Sequence, residues 1–103
     1  MTDVKIKTTD TSVDIIANNH AGQKVICAVC SATVCNLINI LEKEQDDRHL
    51  EYLRWDVSSG HSRIEAKTLP EFTTRFEAIV DTVVIAFKSL AEHYPEHIKV
   101  SIR

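Results

Sequence analysis

Basic clusters are missing from this chain. Its 12 lysines and arginines are outnumbered by 15 aspartates and glutamates, giving a net charge of −3, and nowhere do they bunch. Sequence-independent binding to phosphate backbones needs such a patch, so direct contact with nucleic acid is not expected. No run approaches the roughly 20 apolar residues that cross a bilayer. The start, Met1-Thr2-Asp3-Val4-Lys5, lacks a basic segment followed by an apolar one. Neither a membrane span nor a secretory signal is therefore expected. Glycine and proline occur twice each, and no linker, repeat or low-complexity tract breaks the sequence, which reads as one domain over residues 1–103. Only three cysteines are present, an odd number crowded between positions 27 and 35. They suit reduced thiols in a cytoplasm better than a disulfide framework. With 44% hydrophobic residues, the chain can build a core without such staples.

What is present divides by period. Val4 and Ile6 alternate with Lys5 and Lys7, and Val13, Ile15 and Ala17 alternate after a polar turn at Thr8–Thr11, which predicts a β-hairpin. Asn18-Asn19 ends the second strand. From Val25 to about Lys43, the residues Cys27, Cys30, Ser31, Val34, Leu37, Ile38 and Leu41 share a helical stripe. Glu42 to Arg48 reads as a charged loop. His49 to Val57 alternates again, Ser58-Ser59-Gly60 turns, and Ile64 with Ala66 marks a returning strand. Thr68-Leu69-Pro70-Glu71 has the spacing of a capping box. A long apolar stripe follows from Phe72 through Phe87 to Tyr94, which Pro95 ends. Ile98, Val100 and Ile102 make a last strand. The order is β-β-α-β-β-α-β, and two one-sided helices should cover one mostly antiparallel sheet as an α+β two-layer sandwich. Trp55 is expected in the core with the Phe72–Phe87 stripe.

The chemistry gathers where His20 leaves a strand and Cys27 opens the first helix. The unpaired N–H groups of a helix N-terminus carry partial positive charge, which favours thiolate. An imidazole beside that sulfur gives a nucleophile with its own base. Ser31 lies one turn from Cys27 on the same side, either bonded back to the helix or helping to shape the site. Cys27 could equally be a buried small hydrophobe, the common fate of a free cysteine. Cys27-Ala28-Val29-Cys30 also has the layout of a thiol oxidoreductase, without the usual tryptophan and proline. His20, Cys27 and Cys30 with a distant His61 could ligate zinc, though a single Cys-x-x-Cys is thin support. Cys35 points away from the stripe, and His49, His61, His93 and His97 are scattered and expected to be solvated.

His20-Ala21, Val25-Ile26-Cys27-Ala28 and Ser31-Ala32 resemble the signature of the ribosomal-processing cysteine protease (Prp) family, Gly-His-Ala, a loop, then Asp-Ile-Val-Cys-Ala-x-x-Ser-Ala. The likeness continues through Asn36–Leu41, Gly60-His61-Ser62-Arg63-Ile64 and Ser89 to Ile98. It departs at Asn19, which replaces the glycine, at a shorter loop to the cysteine, and at Lys24-Val25 in place of the aspartate. The resemblance implies a cytoplasmic endopeptidase, needing no cofactor or metal, with His20 as base and Cys27 as nucleophile. It implies a peptide or protein partner: a ribosomal large-subunit protein whose N-terminal extension is trimmed, or a phage capsid or scaffold protein. A homodimer is also implied. Backbone N–H groups of Cys27 and Ala28 are expected to hold the oxyanion. The contrasting expectation is a non-catalytic dimeric module of the same fold that binds an extended peptide as an added strand.

Overall fold

The computed structural model describes all residues from Met1 to Arg103. Strands β1 (Thr2–Thr8) and β2 (Ser12–Asn18) form the first hairpin, and helix α1 (Lys24–Asp46) follows. Strands β3 (Leu50–Ser58) and β4 (His61–Thr68) form the second hairpin, before helix α2 (Thr73–His93) and strand β5 (Ile98–Ile102). The five strands lie in the order β3-β4-β2-β1-β5. All neighbours are antiparallel except β1 and β5. This is the expected two-layer α+β sandwich.

Connectivity explains why both helices lie on one face. Helix α1 carries the chain from β2 past β4 to β3, and α2 carries it from β4 past β2 and β1 to β5. Strands β2 and β4 run in opposite directions, and the two crossovers also travel in opposite directions across the sheet. A half-turn about the sheet normal relates them, so two right-handed crossovers place their helices on the same side. Val4, Ile6, Val13, Ile15, Ile64, Ala66 and Ile98 fill the covered face against Leu37, Leu41, Phe76, Val80 and Phe87. Each such large side chain contributes about 1.5–3 kcal/mol by burial. The opposite face is polar, laced by Arg63 with Asp14 and Glu65.

Four expectations change at the ends and edges. First, α1 runs on to Asp46 through the stretch expected as a loop. It ends in a Schellman motif: His49 N–H donates to the Glu44 carbonyl and Arg48 N–H to that of Gln45, with Arg48 left-handed at φ 63°. Second, no capping box forms. Thr68 ends β4, its hydroxyl donates to the carbonyls of His49 and Leu69, and Pro70–Phe72 makes a 3-10 turn before α2. Third, Trp55 is 48% exposed rather than core. Alternation reported its face correctly, opposite Ile64, but β3 is the outermost strand: α1 packs along it and Leu50 and Leu53 reach the core, while Trp55 stays uncovered. Fourth, α1 is by length and composition apolar enough to cross a membrane, because residues 25–41 carry no charge. Here its stripe of Ile26, Cys30, Val34, Leu37, Ile38 and Leu41 packs into the core.

Candidate active site

The link between β2 and α1 is short and tied at four points. Asn19 takes a left-handed φ of 71°, which asparagine tolerates better than most residues, and so does the work of a glycine. Its N–H donates to the Gly60 carbonyl at 2.7 Å, and its carbonyl accepts from Thr2 Oγ1 at 3.1 Å. Two residues on, the buried Ala21 turns its carbonyl to His97 Nδ1 at 2.9 Å. Its N–H points the other way and donates to Cys27 Sγ at 3.1 Å. His20 is held between these anchors.

Cys27 stands in the first turn of α1. Gln23 caps that turn, its side-chain oxygen accepting from Ile26 N–H at 3.1 Å. The residue is half-buried at the rim of the core, and its sulfur meets the link. A backbone N–H aimed at the sulfur, added to the positive end of the helix, stabilises negative charge there. Cys27 and His20 line one cavity of about 190 Å³ between α1 and the tip of the β3–β4 hairpin. No hydrogen bond joins the two side chains, a separation common where no substrate is bound. The imidazole lies over the hairpin turn: a Cβ on Gly60 would stand 3.3 Å from His20 Nε2. Gly60, with φ 75°, therefore serves both the turn and the space for that ring.

The other candidates divide. Ser31 is exposed on the same cavity as Cys27. Cys35, expected to face away, is exposed at that cavity too. Ala28 is exposed but lies outside the cavity lining. Cys27 N–H donates to the Gln23 carbonyl at 3.0 Å, so it is engaged in the helix and not free for an oxyanion, contrary to expectation. Cys30 is buried one turn deeper, and that burial, then the neighbouring Cys27 charge, push its thiol upward. Cys30 thus packs as part of the core cluster.

His20, Cys27, Cys30 and His61 do not converge as a ligand set. Close ligating atoms occur instead at Glu44, Asp47 and His49. There the Glu44 carboxylate already accepts from Arg75 and His49. His61 Nδ1 donates to Asn18 Oδ1 at 2.5 Å. Strand register puts that pair level with Ile16 and Arg63, and His61 also lines the cavity that holds His20 and Cys27. His97 and Thr2 were missed by sequence reasoning, since a side chain bonded to a distant backbone leaves no spacing to read.

The family model for cysteine protease Prp matches residues 1–99. This chain belongs to the Prp family of cysteine proteases. Its activity class is thus hydrolysis of peptide bonds. Three solved structures share the fold. An essential ribosomal processing protease Prp from S. aureus, in complex with a covalently linked product peptide, is 21% identical over the whole of both chains, with a TM-score of 0.71. The S. aureus protease with a substrate peptide gives 17% identity, full coverage of both chains and a TM-score of 0.73. A protein from Streptococcus mutans is 21% identical, with 99% of this chain and 93% of that one covered and a TM-score of 0.71. No curated protein sequence matches.

Proposed function

We propose that this Prp-family chain cleaves an extended segment of a protein substrate with Cys27 as nucleophile and His20 as its base. The observation that carries this is the Ala21 N–H on Cys27 Sγ, at a helix N-terminus, with His20 on the same cavity. His20 takes the thiol proton as the sulfur attacks the scissile carbonyl. The resulting imidazolium protonates the leaving amine, and the acyl group stays on sulfur as a thioester. His20 then takes a proton from water, which attacks the thioester and frees the acid and the thiol. Donors for the oxyanion are the unpaired N–H groups of Lys24 and Val25, which a helix leaves without partners in its first turn. Ser31 shapes the cavity wall beside the sulfur.

The substrate class follows the resemblance. The S. aureus relatives are described as ribosomal processing proteases. A ribosomal large-subunit protein with an N-terminal extension is the favoured substrate, with a phage capsid or scaffold protein as the second. The resemblance likewise supports a homodimer working in the cytoplasm. The test is cleavage of a peptide pool made from a bacterial proteome, read by mass spectrometry. The expected result is cleavage by the native chain, at least a thousandfold loss in Cys27→Ala and in His20→Ala, and near-native rates in Cys30→Ala. Cleavage surviving in Cys27→Ala would eliminate the mechanism. Loss in both Cys27→Ala and Cys30→Ala would favour dithiol chemistry, and no cleavage by the native chain would favour the binding module.

A further inference from the structure

The outer strand β3 presents its free edge to solvent, and its apolar side is bare where it meets the cavity. Leu53, Trp55 and Val57 lie opposite Ala66, Ile64 and Ser62, so all three belong to the helix-covered face. Leu53 packs against the core, but Trp55 is 48% and Val57 44% exposed. Val57 itself lines the cavity that holds Cys27. Across from it, α1 offers Ser31 and Cys35, which are uncharged and also exposed on the cavity. The strip from Trp55 to Val57 thus continues directly into the proposed catalytic site. Tryptophan is a strong binding anchor when a partner covers it, and half of this one lies open.

Resting on the protease reading above, we propose that the β3 edge is the substrate-docking rail, taking an extended polypeptide with apolar side chains at two alternate positions. An unpaired edge strand accepts a further strand through backbone hydrogen bonds, while every second side chain enters the pockets of one face. Trp55 and Val57 are two residues apart, or about 7 Å along a strand. Residues i and i+2 of an extended substrate have the same spacing, so one meets Val57 near the scissile bond and the other meets Trp55 farther out. The opposite side of the strand carries Arg54 and Asp56, both exposed, and leaves intervening substrate positions free to be polar. Trp55 is thus a specificity determinant, remote from the reacting atoms.

The test compares native chain and Trp55→Ala on the proteome-derived peptide pool, with circular dichroism and thermal melting to confirm the fold. Native cleavage sites should be enriched in apolar residues at two positions separated by one, on one side of the cut. Trp55→Ala should lose the outer preference, keep the inner one, and lower kcat/KM about tenfold or more through KM. Its Cys27 should alkylate at the native rate, which separates lost docking from a damaged site. Equal kcat/KM and an unchanged site preference would overturn the proposal. A native dimer that falls apart in Trp55→Ala with cleavage intact would do so too, assigning the strip to a second copy. Absence of cleavage by the native chain would remove the protease reading, and the docking rail with it.

Discussion

Ala21 has no functional group, yet both its backbone atoms are used at the site. Its N–H reaches Cys27 Sγ while its carbonyl is fixed by His97, a residue 76 positions away in sequence. A donor held from behind cannot swing away from the sulfur, so it stabilises the anion without reorganisation. The consequence is measurable against a built-in reference. Cys35 is exposed and Cys27 half-buried, so accessibility alone would make Cys35 the faster thiol. Site-resolved alkylation with iodoacetamide at neutral pH should instead modify Cys27 several-fold faster than Cys35, and His20→Ala should narrow that lead. That His20 and Cys27 meet at one cavity was legible in the sequence, because their spacing from a strand end to a helix start is local. Asn19 was legible in part, as a residue fit for a turn; its left-handed φ explains how it substitutes for glycine. The anchors Thr2, Gly60 and His97 come from three other elements, and only folding brings them to the link.

At the scale of elements, the two ends of α1 were read unequally. Its start shows as a polar link before a periodic stripe, but its end lies three residues beyond where charge suggested, since Glu44 of the last turns is itself buried. Charge in sequence marks exposure only when nothing pairs it. The Schellman turn that ends the helix places a side chain where glycine is preferred, at Arg48. Relieving that left-handed strain outweighs the added freedom of glycine, so Arg48→Gly should stabilise the protein by about 0.5–1 kcal/mol. Urea denaturation checks this: a midpoint that falls would contradict it. Trp55 was misplaced for a different reason. Alternation tells which face a residue takes, whereas exposure depends on the strand's place in the sheet, and β3 is known as an edge only from the topology.

For the whole molecule, strand alternation and helix stripes were enough to give element order and the two layers. Helix positions relative to the sheet follow from crossover handedness once strand order is known. One polar cluster helps to lock the layers. Burial would raise the Glu44 carboxyl, but hydrogen bonds and charge from Arg75 and His49 prevail and hold it below its ordinary value. Arg75 comes from α2 and His49 from the turn into β3, so this carboxylate fastens three elements together. A depressed folded pKa gives stability that is full above the unfolded value and is lost as pH falls through the folded one. Glu44→Gln should therefore destabilise the protein by about 1–3 kcal/mol near neutrality. The gap between variant and native melting temperatures should close as pH falls below about 4, the ordinary glutamate range. A gap that stays constant down to strongly acidic pH would assign the cluster a packing role only.

The claim that joins these scales is that Cys27 carries the acyl group during peptide cleavage. Acid quenching of the native chain within milliseconds to seconds of mixing with a cleaved peptide, followed by digestion and mass spectrometry, looks for that bond directly. The expected result is a hydroxylamine-sensitive thioester on Cys27 whose added mass equals the N-terminal fragment of the peptide, absent from Cys27→Ala. An acyl group on any other side chain, or cleavage that continues in Cys27→Ala, would contradict it.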